Sequence, residues 1–501
     1  MSDHEGHLVH FDVRLTVIRH GTGTMLHARK FLANYTILVV GDLVSRFLAF
    51  WAMISIARVL GKDLFGTLGF ATAFAAYFEL FARQGLDTYG IQAVAHRPGS
   101  VREYAETLLG LRLTTSCIAF LDLSATAWRL SRPAELKLLI VLSGLMFFTA
   151  AVSPQWVFQA TEQMRYAAIA RIMSTLVFAA LVLSTVKRPG QFYYVPLFQF
   201  GSEIVAVFWL LRAFSGQYGF PMPKFDFHKW RDVLRESLPM GLEGVFGVVL
   251  FNFDMLMLGF WRPASDVGEY SAAYKFINFA SAFVFLYSAN LLPLVAKNRG
   301  NPVQLRQVSE VLFRYTLLIA VPMAAGGMVL APGLMRLVFG PEFAPAARAL
   351  EILVWVIPLV TCRVVLRNIL LSHGLQQTLV WCMFFAAALN AGLNIILIPR
   401  YTYVGSAAAM VAAEAVLLLL LQLRVAQKVV RMRLAIDLWK PLLACVPMVI
   451  AVLWLPDTNL VFRAAAGAVV YVSAARLLRA FTIGEIAGIF RNEAINAAGN
   501  S

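Results

Sequence analysis

The feature that most constrains this chain is a series of apolar runs, each about 20 residues long, that begins near Tyr35 and continues almost to the end. A helix of about 20 apolar residues crosses the roughly 30 Å hydrocarbon core of a bilayer. Backbone groups find no water there, so elements that satisfy their own hydrogen bonds are expected. With 59% hydrophobic and 14% charged residues, the chain also lies outside the usual composition of soluble domains. We therefore predict an all-α polytopic membrane protein.

The runs predict about fourteen transmembrane helices. The first six lie near residues 35–60, 66–86, 105–128, 136–156, 166–186 and 194–214. The next six lie near residues 238–260, 269–296, 312–332, 346–372, 376–398 and 404–426, and the last two near 438–455 and 459–480. The predicted divisions are an N-terminal extension (1–34), an N-lobe (35–214), an amphipathic linker (215–237), a C-lobe (238–427), a terminal helix pair (438–480) and a tail (481–501).

Charge sets the expected orientation. An even number of spans puts both termini on one side, and the most basic loops, near residues 224–235, 297–314 and 424–440, fall on that same side. Because cytoplasmic loops are enriched in Lys and Arg, we predict that both termini are cytoplasmic. The first apolar run has full span length, with no small-residue cleavage site after it, so it is expected to be a retained span.

A faint internal repeat divides the spans into two halves. Residues 63–66 after the first span resemble residues 265–268 after the seventh, and Glu203 in span 6 is echoed by Glu414 in span 12. Six is an even number, so the two halves enter the membrane in the same sense. They would be related by an axis along the membrane normal, as in transporters that work by alternating access. We therefore predict two parallel six-helix lobes followed by a helix pair.

The sequence does not favour a nucleotide-driven exporter, a metal enzyme or a nucleic-acid-binding protein. A nucleotide-driven exporter needs a Gly-x-x-x-x-Gly-Lys loop, and a zinc enzyme of the common type needs His-Glu-x-x-His, and neither pattern is present. The four cysteines have no metal or disulfide spacing. The net charge of +15 is spread along the chain instead of forming one basic domain, which argues against nucleic acid as a partner. We expect no enzyme activity, no cofactor and no metal site.

Several short motifs, taken in order and spacing, resemble the polysaccharide transporter family of O-antigen and exopolysaccharide flippases. Its wider superfamily, termed MOP or MATE-like, includes multidrug and toxin extruders and lipid II flippases. The motifs are residues 57–61 with 65–66 and 85–86, 155–159 with 164–166, 254–259, 267–268 with 270–274, 339–343, and 394–401 with 404–408.

The resemblance implies a MATE-like fold with a central cationic cavity. It also implies transport of an oligosaccharide on polyprenyl diphosphate, from the cytoplasmic to the periplasmic leaflet of a bacterial inner membrane, for O-antigen, capsule or exopolysaccharide synthesis. Partners would be that lipid-linked sugar, membrane lipids, and the polymerase and glycosyltransferases of the same process. The alternatives are an ion-coupled multidrug antiporter and a lipid II flippase.

Arginines inside the spans are the candidate substrate-binding residues, because ionisable groups in spans usually face the bundle interior. Arg363 and Arg367 share a helix face, and like charges at this spacing repel unless an anion or acid lies opposite. A bound diphosphate would supply that anion. Alternatively, both arginines form interior ion pairs, or Arg367 reaches the headgroups.

Three more arginines lie in the first three spans. Arg46 follows Asp42 by four residues, and Arg83 follows Glu79 by the same spacing, so each pair can neutralise itself. Arg112 in span 3 has no obvious local partner, which favours a role in substrate binding.

Acidic residues in the spans are candidates for ion coupling or for structural ion pairs. Glu203 and Glu414 lie near the middle of equivalent spans, whereas Asp122 and Asp254 lie nearer the outer face. Glu79 belongs to the same group. The sequence leaves proton coupling, sodium coupling and structural salt bridges open.

Two polar pairs are expected to be structural. Asn390 and Asn394 share one face of span 11, where amide groups typically hydrogen-bond between helices. Tyr270 and Tyr274 follow the turn after span 7, a position typical of interfacial aromatic anchors.

Overall fold

Helices make up nearly all of the described chain. The computed structural model describes residues 24–288, 300–432, 439–455 and 459–480, and no β-strand occurs within these ranges. The helices of the first half are α1 (Thr24–Arg83), α2 (Leu86–His96), α3 (Val101–Arg129), α4 (Ala134–Gly144), α5 (Met146–Val152), α6 (Gln155–Ala160), α7 (Met164–Thr185) and α8 (Tyr194–Tyr218). Those that follow are α9 (Phe227–Trp261), α10 (Ala264–Ser288), α11 (Pro302–Val338), α12 (Ala347–Leu353), α13 (Val356–Ser372), α14 (Gln376–Lys428), α15 (Trp439–Trp454) and α16 (Leu460–Leu477).

Nine helical stretches of the described chain are long and apolar enough to cross a membrane, and the bent pair α12–α13 makes a tenth. Two of the nine fold back on themselves, as shown below. With α10 and the shorter apolar helix α15, the described residues make fourteen passages. The predicted all-α polytopic fold is confirmed, and the count agrees with about fourteen spans.

The two longest helices are hairpins. The backbone of α1 breaks at Gly61 (φ 71°) and that of α14 at Thr402 (φ 53°), both in the left-handed region that helices do not use. Beyond the break in α14 the chain returns to its start, because Lys428 Nζ donates to Thr378 Oγ1 at 2.9 Å. In α1, Asp42 before the break and Arg83 after it line cavities that share Gln155 and Gln159, so its two arms also lie side by side. Each hairpin therefore supplies two spans.

Some predicted boundaries shift. Helix α1 begins at Thr24, inside the predicted extension, while residues 1–23 and the tail 481–501 lie outside the described residues. The predicted surface helix in the linker is the first part of α9, which starts at Phe227 with an Asp226 cap and continues into span 7 despite Pro239. The sequence analysis also missed α2.

We call the membrane face where α1 begins the N-terminal face, and the other the opposite face. Near the opposite face, both lobes share one hydrophobic core, in which Ile56 and Phe65 of α1 belong to the same cluster as Tyr270, Phe343 and Leu350. The two lobes are therefore joined at this level.

Near the N-terminal face the lobes have separate cores. One cluster contains Leu108, Phe158 and Phe214 of the N-lobe with the start of α9. The other contains residues such as Leu366 and Leu417 of the C-lobe with the terminal pair, and no residue of the N-lobe. Apolar contacts thus close the molecule at the opposite face. At the N-terminal face the cores are separate, and the lobes meet through the backbone, since a Cβ added to Gly85 would lie 2.5 Å from the Gly241 amide nitrogen.

Polar contacts reinforce the closed face. Lys62 Nζ lies 3.0 Å from Glu269 Oε1, and the Arg58 Nε donates to the Val338 carbonyl at 2.8 Å. Arg132 donates to the carbonyls of α9 at its end, Gly259 at 3.0 Å and Phe260 at 2.9 Å. Each of these contacts joins the N-lobe to the C-lobe.

The two loops recognised as a repeat meet each other in this region. A Cβ added to Gly66 would lie 2.6 Å from the Gly268 amide nitrogen, and one added to Gly268 would lie 2.9 Å from the Lys62 carbonyl carbon. Backbone therefore touches backbone, an approach that only glycine permits. Contact between equivalent loops is what two parallel halves around a central axis would produce.

The terminal pair α15–α16 packs on the C-lobe. The Tyr471 hydroxyl of α16 donates to the Leu318 carbonyl of α11 at 2.8 Å, and Cys445 and Met448 of α15 belong to the C-lobe cluster. The pair lies outside the contact between the lobes, as an addition to the two six-helix units.

Candidate functional site

A polar cavity of about 470 Å³ lies in the N-terminal-face half of the N-lobe. It is lined by Glu79, Arg83, Asp87, Arg112, Met146, Thr149, Ala150, Ser153, Gln155, Trp156, Gln159 and Glu203. These residues come from α1, α2, α3, α5, α6, α8 and the turn between α5 and α6. We call this space the N-lobe cavity.

Arg112 is buried at the wall of this cavity and is fully engaged. One terminal nitrogen lies 2.9 Å from Asp87 Oδ1 and donates to the Ala150 carbonyl at 2.6 Å, and the other donates to the Ser153 carbonyl at 3.2 Å. Helix α5 ends at Val152, and the last carbonyls of a helix lack donors within the helix. The Arg112 guanidinium supplies the missing hydrogen-bond donors. Arg112 has no acidic partner on its own helix, as the sequence indicated, but it pairs with Asp87 of α2, a helix that the sequence analysis had not placed.

Arg83 and Glu79 pair as their spacing predicted. Arg83 lies 2.8 Å from Glu79 and 4.0 Å from Asp87, and about half of its side chain is exposed. The two arginines of the cavity therefore share its wall with two acids, and Asp87 contacts both.

Glu203 is the third carboxylate of the cavity. It accepts a hydrogen bond from Ser174 Oγ at 2.8 Å and forms no ion pair within the described residues. Its side chain is partly exposed and lines the cavity. Glu203 is therefore the carboxylate of this wall without a guanidinium partner in the described residues.

A second, adjoining cavity of about 180 Å³ is lined by Asp42, Arg171, Gln155 and Gln159, among others. Arg46 Nε donates to Asp42 Oδ2 at 2.7 Å, and Arg171 donates to Asp42 Oδ1 at 3.0 Å. We call Asp42, Arg46 and Arg171 the arginine rim. The sequence analysis missed Arg171, although an arginine inside an apolar run is the same signal that identified the others.

The two C-lobe arginines lie elsewhere. Arg363 Nε is 3.0 Å from Glu414 Oε2, both groups are buried, and the guanidinium lies 5.7 Å from the Phe251 ring centre. Arg367 pairs with Glu243 at 2.7 Å. Neither lines the N-lobe cavity. Both arginines thus form ion pairs, a buried one for Arg363 and a partly exposed one for Arg367, and their contact with substrate stays a prediction.

The C-lobe also holds a buried carboxylate without a charged partner in the described residues. Asp254 accepts hydrogen bonds from the Tyr270 hydroxyl and from Asn394 Nδ2, each at 2.5 Å. Asn394 also donates to the Asn390 carbonyl at 2.9 Å. The predicted bond between helices at Asn394 is confirmed, whereas the interfacial placement of Tyr270 is wrong, because its ring is fully buried.

Of the five predicted arginines, Arg83 and Arg112 line the N-lobe cavity, Arg46 belongs to the arginine rim, and Arg363 and Arg367 form ion pairs in the C-lobe; that they share one cationic cavity stays a prediction. Of the predicted acids, Glu79 and Glu203 line the N-lobe cavity and Asp254 is buried. Glu414 is the ion-pair partner of Arg363, and Asp122 lies on an exposed face of α3. No cluster of residues suited to a metal ion occurs in the described part of the chain.

The sequence matches two family models. The model described as "Polysaccharide biosynthesis protein" matches residues 31–299, and the model described as "MatE" matches residues 239–396. The first alone spans more than half of the chain.

Two curated relatives come from archaea. An uncharacterized membrane protein of Methanocaldococcus jannaschii is 26% identical over 37% of this chain and 38% of its own length. The "Probable low-salt glycan biosynthesis flippase Agl15" of Haloferax volcanii is 24% identical over 42% of this chain and 45% of its own length. The chain thus aligns with less than half of the length of either relative.

Solved structures share the fold. Lipid II flippase MurJ in an inward closed conformation superposes with a TM-score of 0.73 at 15% identity, covering 88% of this chain and 98% of that chain. An inward-facing multidrug resistance transporter of the MATE family superposes with a TM-score of 0.62 at 15% identity, covering 76% of this chain and 95% of that chain. The predicted MATE-like architecture is therefore confirmed.

Proposed function

The chain belongs to the polysaccharide biosynthesis protein family, and we propose that it is a flippase for oligosaccharides linked to polyprenyl diphosphate. In this proposal it lies in a bacterial inner membrane with the N-terminal face in the cytoplasm. It carries the sugar lipid to the periplasmic leaflet for surface polysaccharide synthesis, where a polymerase and glycosyltransferases would be its partners. Transport, not catalysis, is its role.

The arginine rim is the observation that carries the proposal. One carboxylate, Asp42, faces two guanidiniums, so the rim keeps a net positive charge. Arg46 and Arg171 are 40% and 56% exposed, which leaves donors free for a ligand. Guanidinium groups bind phosphate oxygens in bidentate geometry. The rim can therefore receive a diphosphate beside a polar cavity.

The arrangement of the cores supports alternating access. The shared core and the Lys62–Glu269 pair close the opposite face, so a substrate would enter from the N-terminal face. Opening towards the opposite face requires these contacts to separate and new ones to form between the two N-terminal-face cores. Rigid lobes with separate cores suit this rocking motion.

Asp254 is the acid best placed for ion coupling in this proposal. It is fully buried and joins α9, α10 and α14 through hydrogen bonds, so a change in its charge state would alter the contacts of three helices. Asp254→Asn should remove the dependence of transport on the ion gradient in vesicles. Unchanged gradient dependence would refute the coupling role.

A multidrug antiporter is a second candidate, favoured by one observation. Three carboxylates and two guanidiniums line the N-lobe cavity, and the surplus carboxylate would attract an organic cation. Ion-dependent extrusion of ethidium from cells that express the full chain would support this alternative. A lipid II flippase remains the other alternative, supported by the shared fold.

The arginine rim provides the test. In a strain that depends on this chain for surface polysaccharide, the double variant Arg46→Ala, Arg171→Ala should lose export, because the diphosphate loses its guanidinium partners. Arg231→Ala is the matched control, since Arg231 is a highly exposed arginine on the same face. Normal export by the double variant, at equal membrane abundance, would overturn the proposal.

A further inference from the structure

We propose that the N-lobe cavity is a sugar-binding subsite that accepts neutral or amino sugars and rejects acidic ones. This inference rests on the proposed function, in which the diphosphate of the carrier lipid lies at the arginine rim. It adds a chemical class for the sugar next to the diphosphate, and it assigns the selectivity to Glu203.

The two cavities are placed to hold one molecule. Gln155 and Gln159 line both of them, because they lie four residues apart on α6 and hence on one helix face. A ligand that extends from the arginine rim past these two amides enters the N-lobe cavity. The order of groups along that path, positive rim and then polar cavity, matches the order of diphosphate and sugar in the substrate.

The lining of the N-lobe cavity suits hydroxyl groups. The amides of Gln155 and Gln159 each offer donors and an acceptor, and Thr149 Oγ1 and Ser153 Oγ can do both. Sugar hydroxyls also donate and accept, so such groups can satisfy them in many orientations. The volume of about 470 Å³ falls in the range of about 300–1,000 Å³ that is typical of small-molecule sites.

The ionised groups of this cavity determine which sugars fit. Arg112 is occupied by Asp87 and two carbonyls, and Arg83 is paired with Glu79. Glu203 has only the Ser174 hydroxyl as a hydrogen-bond partner in the described part of the chain. Three carboxylates, Glu79, Asp87 and Glu203, face two guanidiniums in this cavity, so its surplus charge is negative, and Glu203 is the carboxylate without a guanidinium partner in the described residues. A carboxylate on the sugar would be repelled there, whereas hydroxyl and ammonium groups would donate to Glu203.

The test uses the full-length protein in nanodiscs and three synthetic probes. These are polyprenyl diphosphate without sugar, polyprenyl diphosphate bearing an N-acetylhexosamine, and the same lipid bearing a hexuronic acid. Binding is measured by native mass spectrometry or by ligand-dependent tryptophan fluorescence. We expect the N-acetylhexosamine lipid to bind about tenfold more tightly than the bare lipid, and the hexuronic acid lipid to gain nothing or to bind more weakly.

Glu203→Gln keeps the shape of the side chain and removes its charge. This variant should bind the hexuronic acid lipid about as well as the N-acetylhexosamine lipid, whereas Glu135→Gln, an exposed carboxylate at the start of α4, should keep the discrimination of the unaltered protein. Unchanged discrimination in Glu203→Gln would overturn the role of this residue.

The outcomes separate the two proposals. If all three lipids bind equally, the diphosphate is recognised and the sugar subsite is refuted, while the proposed function stands. If none of the three binds in competition with bulk lipid, the proposed function itself fails. A preference for the hexuronic acid lipid would reverse the charge argument and also refute the inference.

Discussion

The sequence repeat predicts that Glu203 of α8 and Glu414 of α14 are equivalent, yet their surroundings differ. Glu203 lines a cavity and accepts a hydrogen bond from Ser174, whereas Glu414 is fully buried 3.0 Å from Arg363. The same contrast extends to the arginines, since Arg83, Arg112 and Arg171 of the N-lobe line cavities, whereas Arg363 is buried. Two carboxylates that the repeat predicts to be equivalent thus differ in their surroundings, since one faces a cavity and one pairs with an arginine between packed helices.

The largest loss of stability is expected at the buried Arg363–Glu414 ion pair. Arg363→Ala would leave the Glu414 carboxylate buried without its partner, which typically costs about 3–5 kcal/mol. A lower melting temperature of the purified protein in detergent would show the loss. The double variant Arg363→Met, Glu414→Leu removes both charges and should recover most of the stability. If Arg363→Ala melts like the unaltered protein, the pair does not hold the C-lobe together and the contrast between the lobes fails.

An intermediate loss of stability is expected at Arg112 in the wall of the N-lobe cavity. Arg112→Ala would remove two hydrogen bonds to the carbonyls at the end of α5 and the contact with Asp87, with an expected loss of about 2–3 kcal/mol. Arg83→Ala is the control, because that half-exposed arginine forms a solvated pair worth about 1 kcal/mol at most. Equal melting temperatures for the two variants would show that Arg112 has no structural role.

The smallest change in stability is expected at Glu203. Its carboxylate is partly exposed to the cavity, so Glu203→Ala should alter the free energy of unfolding by about 0.5 kcal/mol or less while it impairs transport. Glu414→Ala, measured side by side, should destabilise the protein strongly. A large loss of stability in Glu203→Ala would mean that both carboxylates are structural, and the comparison between the lobes would have to be abandoned.

The sequence predicted the scaffold better than the site. Apolar runs of span length identified the passages, because lipid imposes that length on every helix. The loop repeat at residues 63–66 and 265–268 pointed to two halves, and these loops are in contact. Spacing also predicted the Arg83–Glu79 pair, since residues four apart meet on a helix by local geometry alone.

What the sequence could not predict depends on which helices become neighbours. Arg112 looked unpaired because Asp87 lies on another helix, and Arg171 joins Asp42 only once α7 packs beside α1. Tyr270 follows a turn and so resembled an interfacial anchor, but the contact between the lobes buries it. A charged residue inside a span indicates that its side chain faces the interior of the helix bundle. It does not indicate whether the side chain lines a cavity or forms an ion pair.

The contact between Gly66 and Gly268 has a mechanical consequence. Backbone meets backbone there, so one methyl group would act as a wedge at the seam, and Gly66→Ala or Gly268→Ala would push the two lobes apart on the closed side. In the proposed rocking motion, the wedge would weaken the closure of the opposite face. The absence of two side chains thus lets the lobes lie close enough for their backbones to touch at this face.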